Sequence, residues 1–142
     1  MNKTGLTFSI DSFIVEHGKI KEFVLAIGDE NPIYKDLSYA KEMGYKDIPI
    51  PPTFPTVIEM WGGLDFETII QELELDPLMV LHGEQEYEYL DEIYAGDTIS
   101  CSAKVTAHVK KRRMDIITIE VVYKRDCEVV LISRSNIIER KG

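Results

Sequence analysis

The chain has 142 residues, with 25 acidic side chains, 16 basic side chains and a formal net charge of −9. This length suits one domain, residues 1–142, with a full hydrophobic core. The negative charge argues against a nucleic-acid partner, which needs a basic surface. No apolar run is long enough to cross a membrane, and the first seven residues lack signal-peptide features, so we expect a cytoplasmic protein without a membrane partner. Three scattered histidines and two distant cysteines predict no metal site and no cofactor.

The first clear element is a helix that ends in an irregular loop. Apolar residues between positions 18 and 27 recur with the spacing of one helical face. Gly28 stands where a C-cap glycine belongs, so Asp29 is the first side chain beyond the helix. The stretch 28–34 favours a fixed loop, because Asp and Asn side chains bond nearby backbone and Pro fixes φ. Reactive groups commonly lie on such loops.

A second, strongly apolar helix follows a proline-rich connection. Three prolines between positions 47 and 52 exclude a helix there and predict extended backbone. Thr53 is predicted to cap the next helix, with Pro55 in its first turn. One face of this helix is apolar, so we expect it to be the buried helix of the fold. That face comprises Phe54, Val57, Ile58 and Trp61. Asp65 is predicted to cap a further helix over 66–75.

From position 79 the apolar period changes to two, which is typical of strands. The predicted strands are 79–89, 99–110, 114–124 and 128–140. Helices followed by long meandering strands indicate an α+β fold, with an antiparallel sheet over the apolar helix. Because the edge of such a sheet is commonly paired, we expect a dimer.

The basic run Lys-Lys-Arg-Arg at 110–113 falls where two predicted strands join. The simpler interpretation is a solvated hairpin tip. The alternative is an electrostatic landing site for a phosphorylated carrier.

The stretch 28–34, Gly-Asp-Glu-Asn-Pro-Ile-Tyr, resembles the G-D-x-N-P-x-H signature of MaoC-like (R)-specific hydratases and dehydratases. Residues 51–54 and 93–97 are similar to this family's central-helix start and a later turn. The closest resemblance is to the N-terminal-type MaoC dehydratase domain, which includes acyl-binding subunits of heterodimeric (3R)-hydroxyacyl-thioester dehydratases. The resemblance implies a hotdog fold, a curved antiparallel sheet wrapped around a central helix.

The resemblance also implies water addition to, or elimination from, an acyl-CoA or acyl-carrier thioester. In the family an Asp and a His handle the water and the proton, and N–H groups at the central helix polarise the thioester carbonyl. Asp29 matches the catalytic Asp, and Asn31 matches a motif Asn that orients the loop. Thr53 and Phe54 are the candidate N–H donors. Tyr34 stands in the His position, where a phenol with a pKa near ~10 is a poor base but a possible hydrogen-bond donor.

Two side chains of the first long strand complete the candidate site. His82 is a possible substitute base, although strict alternation places it on a solvated face with three glutamates. A bulge at Gly83 would turn it inward. Gln85 lies on the inner face and needs a polar partner, either as a structural amide or as a substrate contact. His108 is predicted on the wet face of its strand.

Three functions remain open from the sequence. The first is an (R)-specific enoyl-thioester hydratase or 3-hydroxyacyl-thioester dehydratase, a hydro-lyase that acts as a homodimer or with a second hotdog chain. The second is a non-catalytic acyl-binding subunit of a heterodimer, because Tyr34 replaces the family's His. The third is an acyl-CoA thioesterase, since fold alone does not decide function.

Overall fold

A computed structural model describes residues 2–142. Within these residues the helices are α1 (His17–Ile27), α2 (Leu37–Glu42), α3 (Pro55–Trp61) and α4 (Phe66–Glu72), and a short 3₁₀ helix spans Pro32–Tyr34. The strands are β1 (Thr7–Ser9), β2 (Phe13–Ile14), β3 (Val80–Tyr89), β4 (Thr98–Lys110), β5 (Met114–Arg125) and β6 (Glu128–Arg140). None of the helices in this range has the length and apolar character needed to span a bilayer.

The strands form one open antiparallel sheet in the order β1-β4-β5-β6-β3, and β2 pairs with β4 beside this path. The four long strands fall where the period-two pattern placed them, and the predicted α+β class is confirmed. Their short connections make β4, β5 and β6 consecutive neighbours, as expected for a meander. The ten-residue strand β3 lies at one edge, while the other edge carries only the three residues of β1.

Helix α3 packs against the inner face of the sheet. Phe54, at its start, is fully buried and meets the rings of Phe13 and Phe23 edge-on, with centroids 6.3 and 5.5 Å away. The Tyr123 hydroxyl of β5 donates to the Pro55 carbonyl at 3.1 Å. The apolar helix is therefore in the core, as predicted, and it holds the sheet and α1 together.

The buried side of α3 is narrower than its sequence pattern predicted. Pro55, Ile58 and Glu59 are its buried positions. Trp61, predicted in the core, is 75% exposed. At 100° per residue it lies 200° around the helix from Glu59, and therefore on the opposite side. The expected cap is also wrong, because Phe54, rather than Thr53, occupies the N-cap position and no side chain caps the helix.

Three register shifts interrupt the described sheet, and two of them, each a β-bulge, change which way a histidine faces. The register shifts between His82 and Glu84 in β3, and between Val105 and Ala107 in β4. The second shift corrects the prediction for His108, which is buried at 7% exposure instead of lying on the wet face. One extra residue in a strand inverts the alternation beyond it, and simple counting along the sequence misses this.

Candidate active site

The motif loop is held by hydrogen bonds between close neighbours. Gly28 adopts a left-handed φ of 70°, and the Asp29 N–H donates to the Val24 carbonyl at 3.1 Å, so the helix end fixes the loop. The Asp29 carboxylate accepts the N–H of Asn31 at 2.9 Å. The Asn31 side chain in turn accepts the N–H of Ile33 at 3.1 Å and caps the 3₁₀ helix. The Asn31 side chain thus orders the backbone of this loop, and its role at the site stays a prediction.

Tyr34 lies at the end of this loop and lines a pocket of about 320 Å³, which we call the loop pocket. Its other walls are Ile33, Tyr45, Pro49, Ile50, Pro52, Tyr89 and Glu92. Burial raises the pKa of the Tyr34 hydroxyl, and the negative charge of Asp29 raises it further. The phenol is therefore protonated at neutral pH, so it is suited to donating a hydrogen bond and unsuited to accepting a proton.

The start of α3 borders the loop pocket. The Tyr89 hydroxyl donates to the Pro52 carbonyl at 2.8 Å. The Phe54 N–H donates to the Pro51 carbonyl at 3.0 Å, so this N–H is already used and Phe54 does not fit the predicted role of carbonyl-polarising donor. Thr53 is exposed and remains the candidate N–H donor of this segment.

A second pocket, the helix pocket, lies between α3, α4 and the sheet and has a volume of about 170 Å³. Its apolar walls are Met60, Leu64, Phe66, Ile69 and Ile137, and its polar walls are Thr56, Glu59, His82, Gln85 and Ser135. His82 and Gln85 are three residues apart and would face opposite sides of a regular strand. The bulge at Gly83 brings both to this pocket.

Glu59 is the polar centre of the helix pocket and is not among the residues that the sequence motifs predict. It is only 8% exposed and accepts a hydrogen bond from the Tyr123 hydroxyl. Burial raises the pKa of its carboxyl, although the hydroxyls of Tyr123 and Ser133 and the nearby His82 act in the opposite direction. The sequence signal that points to Glu59 is a single acidic residue within the most apolar helix.

Gln85 has the polar partner expected of an inward-facing amide. Its Nε2 donates to the Ser133 hydroxyl at 2.9 Å. Further along β3, the Tyr87 hydroxyl is hydrogen-bonded to the Thr56 hydroxyl of α3. Tyr87 thus lies between the strand positions that line the helix pocket and Tyr89, which lines the loop pocket.

Within residues 2–142, none of the three histidines is a hydrogen-bond partner of the Asp29 carboxylate. His17 Nε2 is 3.2 Å from an Asp47 carboxylate oxygen, and His108 Nε2 is 3.1 Å from Asp115. His82 lines the helix pocket. In the described part of the chain, the residues of the loop pocket include no histidine. The structure therefore brings Asp29 together with Tyr34, and places His82 with Gln85 and Glu59 instead.

Comparisons with known proteins agree with this architecture. The sequence model of the FAS1-like dehydratase domain region matches residues 2–132. A UPF0336 protein of Thermobifida fusca (strain YX) is 38% identical over 111 residues, which cover 78% of this chain and 72% of that protein.

Solved structures show the same fold at low identity. A chain of the HadBC (3R-hydroxyacyl-ACP dehydratase) complex from Mycobacterium tuberculosis has a TM-score of 0.82 and 20% identity, covering 97% of this chain and 98% of that one. The MaoC-like dehydratase from Rhodospirillum rubrum has a TM-score of 0.73 and 18% identity, covering 98% and 93%. These likenesses confirm the predicted hotdog fold, which this chain shares with a MaoC-like dehydratase.

Proposed function

Because the chain belongs to the FAS1-like dehydratase domain region family, we propose that it is the acyl-binding subunit of a two-chain (R)-specific enoyl-thioester hydratase/dehydratase. The observation that carries this proposal is the loop pocket. Asp29 and Tyr34 match the positions of the family's Asp–His pair in sequence, and the phenol there is a hydrogen-bond donor rather than a base. We propose that a second hotdog chain supplies the imidazole.

The chemistry explains why this replacement matters. Hydration of an enoyl thioester needs a base that takes a proton from water as the oxygen bonds to Cβ, and an acid that delivers a proton to Cα. A phenol whose pKa is raised by burial and by a neighbouring carboxylate does not accept that proton at neutral pH. Asp29 also binds the Asn31 N–H, which supports a loop-ordering role in this chain.

The helix pocket supports the acyl-binding part of the proposal. Five apolar side chains from α3, α4 and β6, together with the residues between the two helices, surround it. Burial of apolar carbon in such a pocket is favourable by about 0.8 kcal/mol per CH₂. In our proposal the acyl group lies there, and the thioester carbonyl lies near the Thr53 N–H. The HadBC neighbour, described as a complex, is a precedent for a two-chain arrangement.

The test is a hydration assay on the purified chain, alone and with a second hotdog chain that carries the complete Asp–His motif. The enoyl absorbance of a trans-2-enoyl-CoA is followed over time. We expect no decay with this chain alone and decay with the pair. Decay with the isolated chain would instead support an autonomous hydratase, with His82 or Asp29 as candidate bases. Release of free thiol would support a thioesterase.

A further inference from the structure

The arginines of this chain fall into two groups. Arg125 and Arg134 are held by carboxylates, at 2.7 to 3.2 Å. Arg112, Arg113 and Arg140 form no ion pair within residues 2–142, and all three line the same groove. Guanidinium groups that are not neutralised by protein carboxylates are available to an external anion.

This groove, which we call the arginine groove, has a volume of about 770 Å³. Its floor is apolar and consists of Leu81, Met114 and Ile138. The strand register accounts for that floor, because Leu81 pairs with Ile138 and Met114 pairs with Arg140 across neighbouring strands. Its rim carries the three arginines, Lys141 and Gly142. The groove thus joins an apolar surface to a positive edge, at a size typical of small-molecule sites.

Backbone hydrogen bonds hold the arginine-bearing segments in place. The Lys111 N–H donates to the Met114 carbonyl at 2.8 Å and closes the hairpin that carries Arg112 and Arg113. The Lys141 N–H donates to the Arg113 carbonyl at 2.8 Å, and the Arg140 N–H donates to the Met79 carbonyl at 2.9 Å. A site whose backbone is already ordered loses less entropy when a ligand binds.

Two acidic residues adjoin groove-lining positions in sequence, and each has a partner within the protein. Asp115 Oδ1 lies 2.7 Å from Lys141 Nζ, and its other oxygen faces His108. Glu139 accepts the N–H of Asp76 at 2.7 Å. No acidic side chain lines the groove, and its three arginines form no ion pair within residues 2–142, so their positive charge is available to a ligand on a chain whose net charge is −9.

We propose that the arginine groove binds a small organic phosphate ester, with its phosphate groups on the arginines and its apolar or aromatic part on the Leu81–Met114–Ile138 floor. Arginine forks match phosphate geometry in two-point hydrogen bonds. A small anion fits inside the groove, whereas a nucleic acid or an anionic membrane would also meet the acidic remainder of the surface.

The groove contacts β3 at Leu81, and the loop pocket contacts it at Tyr89. These positions are roughly 26 Å apart at ~3.3 Å per residue. The helix pocket is nearer, because its His82 and Ile137 adjoin Leu81 and Ile138 in sequence. Consecutive strand residues face opposite sides of a sheet, so the groove is a separate site from both pockets.

The test is calorimetric titration of the full chain with adenosine 3′,5′-bisphosphate, with adenosine and inorganic diphosphate as partial probes. We expect the bisphosphate to bind more tightly than either partial probe. The triple variant Arg112→Gln, Arg113→Gln, Arg140→Gln should weaken binding by at least about tenfold. The variant Leu81→Asp, at an exposed edge position, should weaken the bisphosphate without large loss of stability.

A matched control separates the groove from general electrostatics. Lys21→Gln, Lys41→Gln and Lys104→Gln together remove the same charge at exposed positions outside the groove. They should leave the Kd within about twofold. The proposal is overturned if the bisphosphate does not bind, if both triple variants weaken it equally, or if inorganic diphosphate binds as tightly as the nucleotide. Because the assay needs no acyl group and no turnover, its outcome is independent of the proposed hydratase function.

Discussion

The motif loop, residues 28–34, and the helix pocket each present one carboxylate of interest, Asp29 and Glu59, and the two carboxylates have opposite surroundings. Asp29 is partly buried, and its carboxylate accepts a hydrogen bond from a backbone N–H of its own loop. Glu59 is buried and bonded to the Tyr123 hydroxyl of the sheet, and burial raises its pKa. Hydrogen bonds to nearby residues therefore hold the Asp29 carboxylate in place near solvent. The packing of the core holds the Glu59 carboxylate.

This difference separates a carboxylate that orders a loop from a group of side chains suited to acid–base chemistry. In our proposal the motif loop keeps the Asp of the family's pair, and the loop pocket has a phenol, whose pKa is raised, where the motif's His stands. The helix pocket has an imidazole, an amide and an acid, yet these groups sit among apolar walls. The following substitutions test this division, beginning with the largest expected effect.

Replacing Tyr34 with His should give the isolated chain hydration activity. An imidazole with a pKa near ~6.5 accepts a proton at neutral pH, and an acid–base pair contributes roughly a hundredfold or more to rate. We expect enoyl-CoA decay at least about a hundredfold above the background of the unmodified chain. Adding Asp29→Asn should remove the gain, and Tyr34→Phe should give none. A folded but inactive Tyr34→His chain would show that Asp29 is not placed as half of a pair.

Filling the helix pocket should impair substrate binding in the two-chain enzyme. Ile69→Trp adds a large ring at a wall of a pocket of about 170 Å³ and leaves less room for an acyl group. We expect the KM for a medium-chain enoyl thioester to rise by about tenfold, since several CH₂ groups lose their apolar contact. Gln71→Trp, at an exposed position of the same helix, is the control and should leave the KM unchanged. An unaltered KM in Ile69→Trp would place the acyl group elsewhere.

The third prediction concerns Glu59 and pH. Its folded-state pKa is raised, so the folded protein binds the proton more strongly than the unfolded chain, and stability falls as pH rises from about 4.5 through the folded pKa. One such proton changes the free energy of unfolding by up to about 1.4 kcal/mol per pH unit. Relative to the Glu59→Gln variant, the unmodified chain should thus lose Tm over this window. Asp29→Asn should follow the unmodified chain, and identical profiles for all three would mean that Glu59 is ionised in the core without cost.

The same contrast explains what the sequence was able to predict. Every bond that shapes the motif loop joins residues two to five positions apart, so the pattern Gly-Asp-x-Asn-Pro contains the structure. The helix pocket instead joins Glu59, His82 and Ser135 from three distant segments. It also depends on a bulge at Gly83, where a side-chain Cβ would come within 2.6 Å of Ile138. Period-two counting does not detect that inversion, nor the one that buries His108.

The smallest effect should come from Asn31, which shapes the loop without facing either pocket. Asn31→Ala removes the acceptor for the Ile33 N–H, and loss of such a cap typically costs about 1 kcal/mol in the free energy of unfolding. Asn31→Asp keeps an oxygen acceptor and should cost less. Both are measured by urea denaturation. Since the Asp29 carboxylate binds the backbone N–H of residue 31, its position should survive either change. The hundredfold gain expected from Tyr34→His should therefore persist when Asn31→Ala is added, whereas its loss would mean that the Asn side chain, and not the helix end, positions the carboxylate.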